Sequence, residues 1–353
     1  MHTARLKLIG PLALLALATT VGLPTAYADS CTTQAQMTPS QRTDFSRAAT
    51  MLVGYVQNGD VQGLRADTLP AVAADFSGIA NSAQTLKPQI AQAGLTVEAL
   101  FAFEAAQPAA GAQSQGSQFF CSPAGSTMTV VLNFSGLPPG KYALAILHAT
   151  GVPKPQQISI ILAQDTDGRW KLAGISSKPL MLAGQNGLWY WSHGRDYAAK
   201  KDDWAAYFYY QIATFLVIPA DYVSSPNADK LRREAGQLHP QNLPGDQPAT
   251  VNANGLSFQI THVDTSADLG PLDLTIHYNP NAQEAAQLRD PVTARKQVLN
   301  LMSGMLAMHP GLRTAFHGLW VYADSGNATV FALELPMDQI PGGGSGGANS
   351  MGR

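Results

Sequence analysis

The spacing of apolar residues changes from a helical period to a strand period along the first half of the chain. Residues 39–57 are predicted to form a first helix, because Thr38 suits an N-cap and Pro39 suits the first helical position. Apolar side chains recur there every three or four residues. Residues 60–107 are expected to contain further helical stretches and residues 108–116 a flexible loop. The expected interruptions of the helical stretches are Pro70, Gly78, Pro88 and Gly94.

From Ser117 the period of the apolar residues is two, which is typical of strands with one buried face. Turns are predicted at residues 138–140, where the sequence is PPG, and at residues 165–168, where it is DTDG. Strands joined by such turns form an antiparallel meander. The predicted strand segments are residues 127–134, 141–151, 156–164 and 169–177.

This order of helices and then hairpinned strands ends in a DGRWKL hairpin over residues 167–172. It resembles the cone-shaped fold of the ketosteroid-isomerase and SnoaL-like superfamily, and the resemblance covers residues 39–180. The resemblance implies a cone-like α+β domain over residues 29–182, with a carboxylate or a histidine in a pocket inside the cone. No residue of this chain matches a motif position of those enzymes, so the resemblance assigns no catalytic residue.

Aromatic residues become abundant in the middle of the chain. Large and small residues there have the spacing of one tetratricopeptide repeat, so residues 188–219 resemble a tetratricopeptide-like helical hairpin. The resemblance implies two antiparallel helices that approach each other at Gly194. A third helix is expected from Pro226 with Ser225 as its N-cap, which gives a helical segment over residues 183–238. The residues at repeat spacing are Tyr190, Gly194, Tyr197, Ala206, Tyr210 and Ala213.

The last third of the chain is predicted to be a second small α+β domain over residues 250–340. Residues 239–249 contain three prolines and one glycine and are predicted to be a linker. The element order after the linker is predicted as β-β-α-α-β-β, and Asp290 is expected to cap the second helix. Residues 341–353 are Gly-rich and are predicted to be a flexible tail. The fold class of the whole chain is therefore predicted to be α+β.

The beginning of the chain has the three parts of a secretory signal: basic residues, an apolar run from Leu8 to Leu23, and small residues before the cleavage position. We predict a signal peptide over residues 1–28, cleavage after Ala28, and a periplasmic or secreted mature protein. The alternative is an uncleaved membrane anchor, but the apolar run is shorter than a span of about 20 residues. No later apolar run is long enough to cross a membrane, so the mature chain is predicted to have no membrane span.

Charge and cysteine content narrow the classes of function. Only 13% of the 353 residues are charged, and 22 basic residues stand against 24 acidic ones, so nucleic acid is not expected as a partner. The chain has two cysteines, Cys31 and Cys121. An even number of cysteines in an exported protein favours a disulfide. The alternative is two separate thiols.

Histidines and carboxylates are the candidates for chemistry. His148 ends a predicted strand and could act as a general acid or base with Asp165 or Asp167. The alternative is a strand-end histidine beside carboxylates that only stabilise a turn. Four histidines of the C-terminal domain suggest a metal site: His262, His277, His309 and His317. Alternation places His262 on the apolar face of its strand and His277 on the polar face of the next strand, and no HxH or HExxH spacing is present, so no metal site is predicted. The sequence contains no phosphate-binding, dinucleotide-binding or GxSxG motif, so no cofactor is predicted.

A cluster of aromatic residues is the most unusual feature of the helical segment. Trp and Tyr supply large contact areas, so the cluster is predicted to bind a protein partner; the alternative is a core between neighbouring domains. The leading hypothesis for the chain is an exported, non-enzymatic binding or protein-interaction module of the bacterial envelope. The alternative is a small-molecule-binding protein or an enzyme that uses a pocket in the cone-like domain. The predicted binding residues are Trp189, Trp191, Trp204, Tyr207 and Tyr209.

Overall fold

The computed structural model describes residues 31–106, 116–126 and 128–342, and in these residues the chain is an α+β protein, as predicted. The predicted signal segment and its cleavage position lie outside the described residues, as does the predicted tail beyond residue 342. Among the helices of the described residues, none is long and apolar enough to cross a membrane.

The first half of the described chain forms helices α1 to α4 and strands β1 to β9. The helices are α1 (Pro39–Asn58), α2 (Val61–Ala66), α3 (Pro70–Ala73) and α4 (Ser77–Ile90). The strands are β1 (Cys31–Thr33), β2 (Gly94–Ala105), β3 (Ser117–Cys121), β4 (Val130–Phe134), β5 (Gly140–Thr150), β6 (Gln156–Gln164), β7 (Trp170–Pro179), β8 (Met181–Leu182) and β9 (Gln185–Asn186).

The second half forms helices α5 to α10 and strands β10 to β15. The helices are α5 (Gly187–Ala199), α6 (Asp203–Val217), α7 (Pro226–Gly236), α8 (Ala282–Gln287), α9 (Pro291–Met308) and α10 (Leu312–Ala315). The strands are β10 (Val223–Ser224), β11 (Ala249–Ala253), β12 (Leu256–Ser266), β13 (Asp273–Tyr278), β14 (Gly318–Ser325) and β15 (Ala328–Pro336).

Three sheets of three or more strands organise these elements. The main sheet has the order β1-β2-β5-β6-β7, and the small sheet has the order β10-β4-β3. The C-terminal sheet has the order β11-β12-β13-β14-β15, in which only β13 and β14 are parallel. A parallel pair requires a crossover connection, and α8, α9 and α10 supply it between β13 and β14.

The first predicted helix is confirmed as α1. The Thr38 side chain accepts a hydrogen bond from the backbone N–H of Gln41, and the Gln41 side chain accepts one from the backbone N–H of Thr38. This capping box satisfies two backbone donors at the start of the helix. Gly59 ends the helix with a φ of 69°, in the left-handed region that favours glycine.

The prediction of helical stretches up to residue 107 is wrong for residues 94–105, which form β2 in the main sheet. The pairing of β2 with β5 shifts register between Val97 and Ala99. A bulge of this kind breaks the alternation of inward and outward side chains, so the strand pattern is hidden in the sequence. Gly78 and Pro88 were expected to interrupt helices, but both lie inside α4, close to its two ends.

The predicted meander is confirmed for β5, β6 and β7, which pair in sequence order. Strand β4 does not belong to it, because β4 pairs with β3 and β10 in the small sheet. The PPG segment therefore connects two sheets instead of closing a hairpin. The small sheet covers one face of the main sheet and helices α1 and α4 cover the other, so β5 is buried on both faces. The cone-like resemblance itself stays a prediction.

The predicted disulfide between Cys31 and Cys121 is confirmed. It joins β1, at the edge of the main sheet, to β3 in the small sheet. Disulfides of this kind are typical of proteins in oxidising compartments outside the cytoplasm.

The chain returns from the second half to the small sheet between α6 and α7. The backbone N–H of Asn133 donates to the carbonyl oxygen of Tyr222 at 2.8 Å, and the Tyr222 ring stacks on Phe134 with centroids 4.9 Å apart. Lys178 also forms an ion pair with Asp221 at 3.0 Å. Strand β10 then completes the small sheet at the edge of β4.

The predicted helical hairpin is present as α5 and α6, which run antiparallel. A Cβ atom at Gly187 would lie 2.7 Å from Cγ2 of Val217, and one at Gly194 would lie 3.3 Å from the ring of Tyr210. A larger residue at Gly187 would force the two helices to shift, and one at Gly194 would require the Tyr210 ring to move by a few tenths of an ångström. The hairpin shares one hydrophobic core with α9 and the C-terminal sheet. The tetratricopeptide resemblance itself stays a prediction.

The predicted order β-β-α-α-β-β is wrong because it lacks β11, the first strand of the C-terminal sheet. This strand begins at Ala249, the last residue of the predicted linker. It turns into β12 through Asn254 and Gly255, with φ angles of 50° and 78°. Asn-Gly with two positive φ angles is the preferred two-residue hairpin turn, so this turn was readable from the sequence.

Glu234 on α7 is the acceptor that joins α7 to the hairpin. Arg195 donates to its two oxygens at 2.8 and 2.9 Å, and Trp191 Nε1 donates at 2.7 Å. The hydrogen bonds from Arg195 lower the pKa of Glu234 below its usual range. Hydrogen bonds from Trp191 and Tyr210 also lower this pKa, whereas partial burial raises it.

Acid is therefore expected to weaken the fold through Glu234. A carboxylate with a lowered pKa in the folded state stabilises the fold above its unfolded pKa of about 4.3, and this contribution disappears as the pH falls through the folded pKa. Glu234→Gln should be less stable than the wild type at about pH 6 and should lose less stability on going to about pH 3. Urea midpoints measured across this range check the prediction, and parallel pH dependences for the two proteins would contradict it.

Candidate functional site

His148 and Asp165, the candidate acid–base pair, lie far apart in the fold. His148 is opposite Gln157 near the start of β6, whereas Asp165 follows Gln164 at the end of the same strand. Eight residue steps separate Gln157 from Asp165, which corresponds to about 26 Å along an extended strand. Asp165 pairs with Lys171 at 3.0 Å, and this hydrogen bond lowers the pKa of its carboxyl group. The two residues therefore cannot act together.

Apolar side chains pack into a core on each side of the main sheet. Leu144 is fully buried beneath the small sheet, where Phe134 also packs. Trp170 lies on the helix side, with its ring edge-on to Phe45 at 4.8 Å. His148 continues the side of β5 that bears Leu144, away from α1 and α4, and its Nδ1 is 3.6 Å from Glu98.

Three of the predicted binding residues, Trp191, Trp204 and Tyr209, are buried in the core that the hairpin shares with the C-terminal sheet. Their polar atoms are all satisfied within the chain: Trp191 donates to Glu234, Trp204 to the carbonyl oxygen of Gln241, and Tyr209 to that of Ala315. A partner could not contact these three side chains without unfolding the core.

Trp189 and Tyr207, the other two predicted binding residues, are half-buried. The Trp189 ring stacks on His193 at 3.8 Å, and the Tyr207 ring meets Phe208 edge-on at 5.2 Å. These two side chains are the part of the predicted hairpin surface that solvent can reach.

The predicted separation of His262 and His277 on opposite faces is wrong. The pairing of β12 with β13 shifts register between Ile260 and His262, so His262 lies opposite His277 and is exposed. The extra residue, Thr261, changes which face the following side chains occupy. Both histidines therefore lie on the side of the C-terminal sheet opposite to Ile260 and the core.

This side of the C-terminal sheet, which we call the open face, carries a row of stacked rings on three neighbouring strands. The rings of His277 and Tyr322 are nearly parallel, with centroids 4.5 Å apart, and Tyr322 and Trp320 follow at 5.5 Å. His262 extends the row, 5.9 Å from His277. His277, Trp320 and Tyr322 are half-buried, and none of them belongs to the hydrophobic core.

Hydrogen bonds hold the central ring of the row. His277 Nδ1 is 2.7 Å from Asp324 Oδ2, and the Thr329 hydroxyl donates to the other oxygen of Asp324 at 2.6 Å. If Nδ1 carries the proton that this bond requires, the neutral ring leaves Nε2 free as an acceptor. The arrangement fixes the orientation of His277 beside Tyr322.

A second cluster lies at one end of the open face. Asp273 begins β13, His317 immediately precedes β14, and Glu334 lies on β15. One ligand atom from each of the three side chains lies within 4.8 Å of the other two. His317 Nδ1 is 3.0 Å from Asp273 Oδ1, and the Asp273 side chain is only 2% exposed. The cluster adjoins the row of rings, because Glu334 lies directly opposite Trp320 in the pairing of β15 with β14.

The open face is negatively charged. Asp264, Asp273, Asp324 and Glu334 place four carboxylates on it. Partial burial, together with the charge of Asp273, raises the pKa of Glu334, and the nearby His317 partly offsets this effect. The face can therefore offer hydrogen-bond acceptors and aromatic edges to a ligand, and it disfavours phosphates.

Asp273 and Glu334 of this cluster were not singled out from the sequence, and His317 was weighed only among histidines for which no metal-ligand spacing was found. Asp273 and Glu334 are charged residues within or at the start of apolar strands, and Gly318 follows His317. Such residues within a predicted strand indicate a polar face with a specific role. Comparison of the chain with protein-family models, curated proteins and solved structures gives no match.

Proposed function

We propose that the protein is an exported, non-enzymatic binding module that recognises a protein partner through the open face of the C-terminal sheet. The observation that carries the proposal is the stacked row of His277, Tyr322 and Trp320, half-exposed on the sheet side away from the core. The basic and apolar start of the chain and the disulfide between Cys31 and Cys121 support export.

The row has the properties of a protein-binding surface. Trp and Tyr are enriched where proteins meet, because their rigid side chains provide large contact areas at a small cost in entropy. The stacked rings of Tyr322 and Trp320 support one another, so their edges and polar atoms are held in place before a partner arrives. Asp324 and His277 beside them provide hydrogen-bonding groups.

The charge of the open face indicates the chemistry of the partner. Four carboxylates surround or flank the rings, so a complementary surface would present lysine, arginine or other hydrogen-bond donors. The half-buried Trp189 and Tyr207 of the helical hairpin offer a smaller aromatic surface. The alternative of a small-molecule pocket in the cone-like domain has little support, because apolar side chains fill both sides of the main sheet.

Replacing both Trp320 and Tyr322 by alanine is expected to weaken partner binding by about 30-fold or more, because side chains at the centre of an interface typically contribute at least about 2 kcal/mol. Cross-linking of the mature chain in an extract of exported proteins would identify the partner, and biolayer interferometry would then measure its affinity. The matched control is Phe120→Ala, which removes an aromatic side chain that is 59% exposed elsewhere on the molecule. Unchanged affinity of the double variant, or an equal loss in the control, would contradict the proposal.

A further inference from the structure

We infer that Asp273, His317 and Glu334 form a binding site for one divalent transition-metal ion, with Zn²⁺ as its probe. The site adjoins the proposed partner surface on the open face, because Glu334 lies opposite Trp320. One donor atom from each side chain lies within 4.8 Å of the other two, as three ligands of one ion require.

The distances suit direct coordination with little movement. Zinc binds nitrogen and carboxylate oxygen at about 2.0 to 2.2 Å, so two of its ligand atoms lie about 3.0 to 3.5 Å apart. His317 Nδ1 and Asp273 Oδ1 are 3.0 Å apart, which is within this range. Glu334 approaches the His317–Asp273 pair from the neighbouring strand β15, and its flexible side chain can bring a carboxylate oxygen to the ion.

The backbone around His317 is fixed on both sides. Its N–H donates to the carbonyl oxygen of Leu272 at 2.8 Å, and its carbonyl oxygen accepts from the N–H of Met337 at 2.8 Å. These bonds hold His317 between the beginning of β13 and the end of β15. Ligands held by such a scaffold need little reorganisation when the ion binds.

Gly318 provides the space in which the two carboxylates approach each other. A Cβ atom at this position would lie 2.9 Å from Glu334 Oε1 and 3.0 Å from Asp273 Oδ1. Both oxygens therefore point to one small volume above the Gly318 Cα atom, which any other residue would fill. Two carboxylates this close, one of them buried, repel each other when both are ionised, and a cation between or beside them removes this repulsion.

The donor set identifies the class of ion. One histidine nitrogen with two carboxylate oxygens suits Zn²⁺ and the neighbouring divalent transition metals, whereas Ca²⁺ and Mg²⁺ prefer oxygen ligands alone. His317 is 48% exposed, so solvent reaches the site. Three protein ligands and an accessible side leave a coordination position for water or another ligand.

The test is calorimetric titration of the untagged full chain with Zn²⁺. The expected result is one Zn²⁺ per chain, and His317→Ala and Glu334→Gln should each weaken its binding by more than about 100-fold, since removal of a ligand exceeds the effect of losing an outer-shell partner. His277→Ala is the matched control: His277 forms a comparable 2.7 Å contact with Asp324 on the same face, but among the described residues no third ligand atom lies within 4.8 Å of both. This variant should bind Zn²⁺ as the wild type does.

Further measurements distinguish the loss of a zinc ligand from unfolding and from loss of the proposed partner. Near-ultraviolet circular dichroism verifies that each variant is folded, and Co²⁺ in place of Zn²⁺ reports nitrogen and oxygen coordination by its visible absorption bands. Retention of Zn²⁺ by folded His317→Ala and Glu334→Gln would overturn the site, as would equal loss in His277→Ala. Trp320 lies opposite Glu334, so Tyr322→Ala alone tests the separation: it should weaken partner binding and retain Zn²⁺, and the two proposals then fail separately.

Discussion

Trp204→Ala is expected to lower the free energy of unfolding by about 3 to 5 kcal/mol, the range for truncation of a buried tryptophan. The Trp204 side chain is buried between the hairpin and the end of α9, where its ring stacks on His309 with centroids 4.3 Å apart. Its Nε1 donates to the carbonyl oxygen of Gln241 at 2.8 Å. Alanine would leave a cavity and remove this hydrogen bond, and both effects destabilise the fold.

Urea denaturation followed by circular dichroism measures this loss. Tyr207→Ala is the matched control, because Tyr207 lies on the same helix but is half-buried and contacts Phe208 at the edge of the core. We expect the control to lose less than half as much stability as Trp204→Ala. If Trp204→Ala were as stable as the wild type, Trp204 would not hold the hairpin against the C-terminal sheet.

Replacing Cys31 and Cys121 together by alanine is expected to lower the free energy of unfolding by about 4 to 5 kcal/mol in an oxidising buffer. The bond closes a loop with a sequence separation of 90, and a long loop restricts the unfolded chain strongly. In the folded state the bond also ties the three-residue strand β1 to the small sheet. Without it, β1 retains only its pairing with β2 and is expected to detach from the edge of the main sheet.

Chemical denaturation of the oxidised wild type, the reduced wild type and the double alanine variant tests this expectation. The reduced wild type and the variant should have similar midpoints, both well below that of the oxidised protein. Amide hydrogen exchange should be faster in residues 31–33 of the variant than in the oxidised protein, while α1 stays protected. Equal midpoints for the oxidised wild type and the variant would contradict the predicted contribution.

The elements that the sequence predicts well are those whose signals are local. Helix α1 follows from Thr38, Pro39 and an apolar face, and the hairpin follows from large residues spaced around Gly194. The disulfide follows from the number of cysteines and the expected compartment. Each of these features depends on residues close in the sequence or on the number of cysteines, so it can be predicted without knowing the tertiary contacts.

Other elements depend on pairing partners that a single sequence does not reveal. Strand β2 is Ala-rich and bulged, and its place in the main sheet is fixed by pairing with β5. Strand β4 alternates as predicted, but its partners are β3 and β10. The candidate sites were hard to predict for the same reason. One bulge near Thr261 reverses the side of the sheet on which His262 lies. The cluster of Asp273, His317 and Glu334 forms only when three strands align.

The contribution of β10 to the small sheet has a consequence for the order in which the protein folds. The small sheet is complete only after Val223 and Ser224 are available, long after β3 and β4 in the sequence. If the chain leaves the ribosome or crosses a membrane from its N-terminus, the edge of β4 is unpaired during that interval. Phe134, which Tyr222 later covers, is then accessible, so this edge is the place where newly made chains are most prone to aggregate or to need a chaperone.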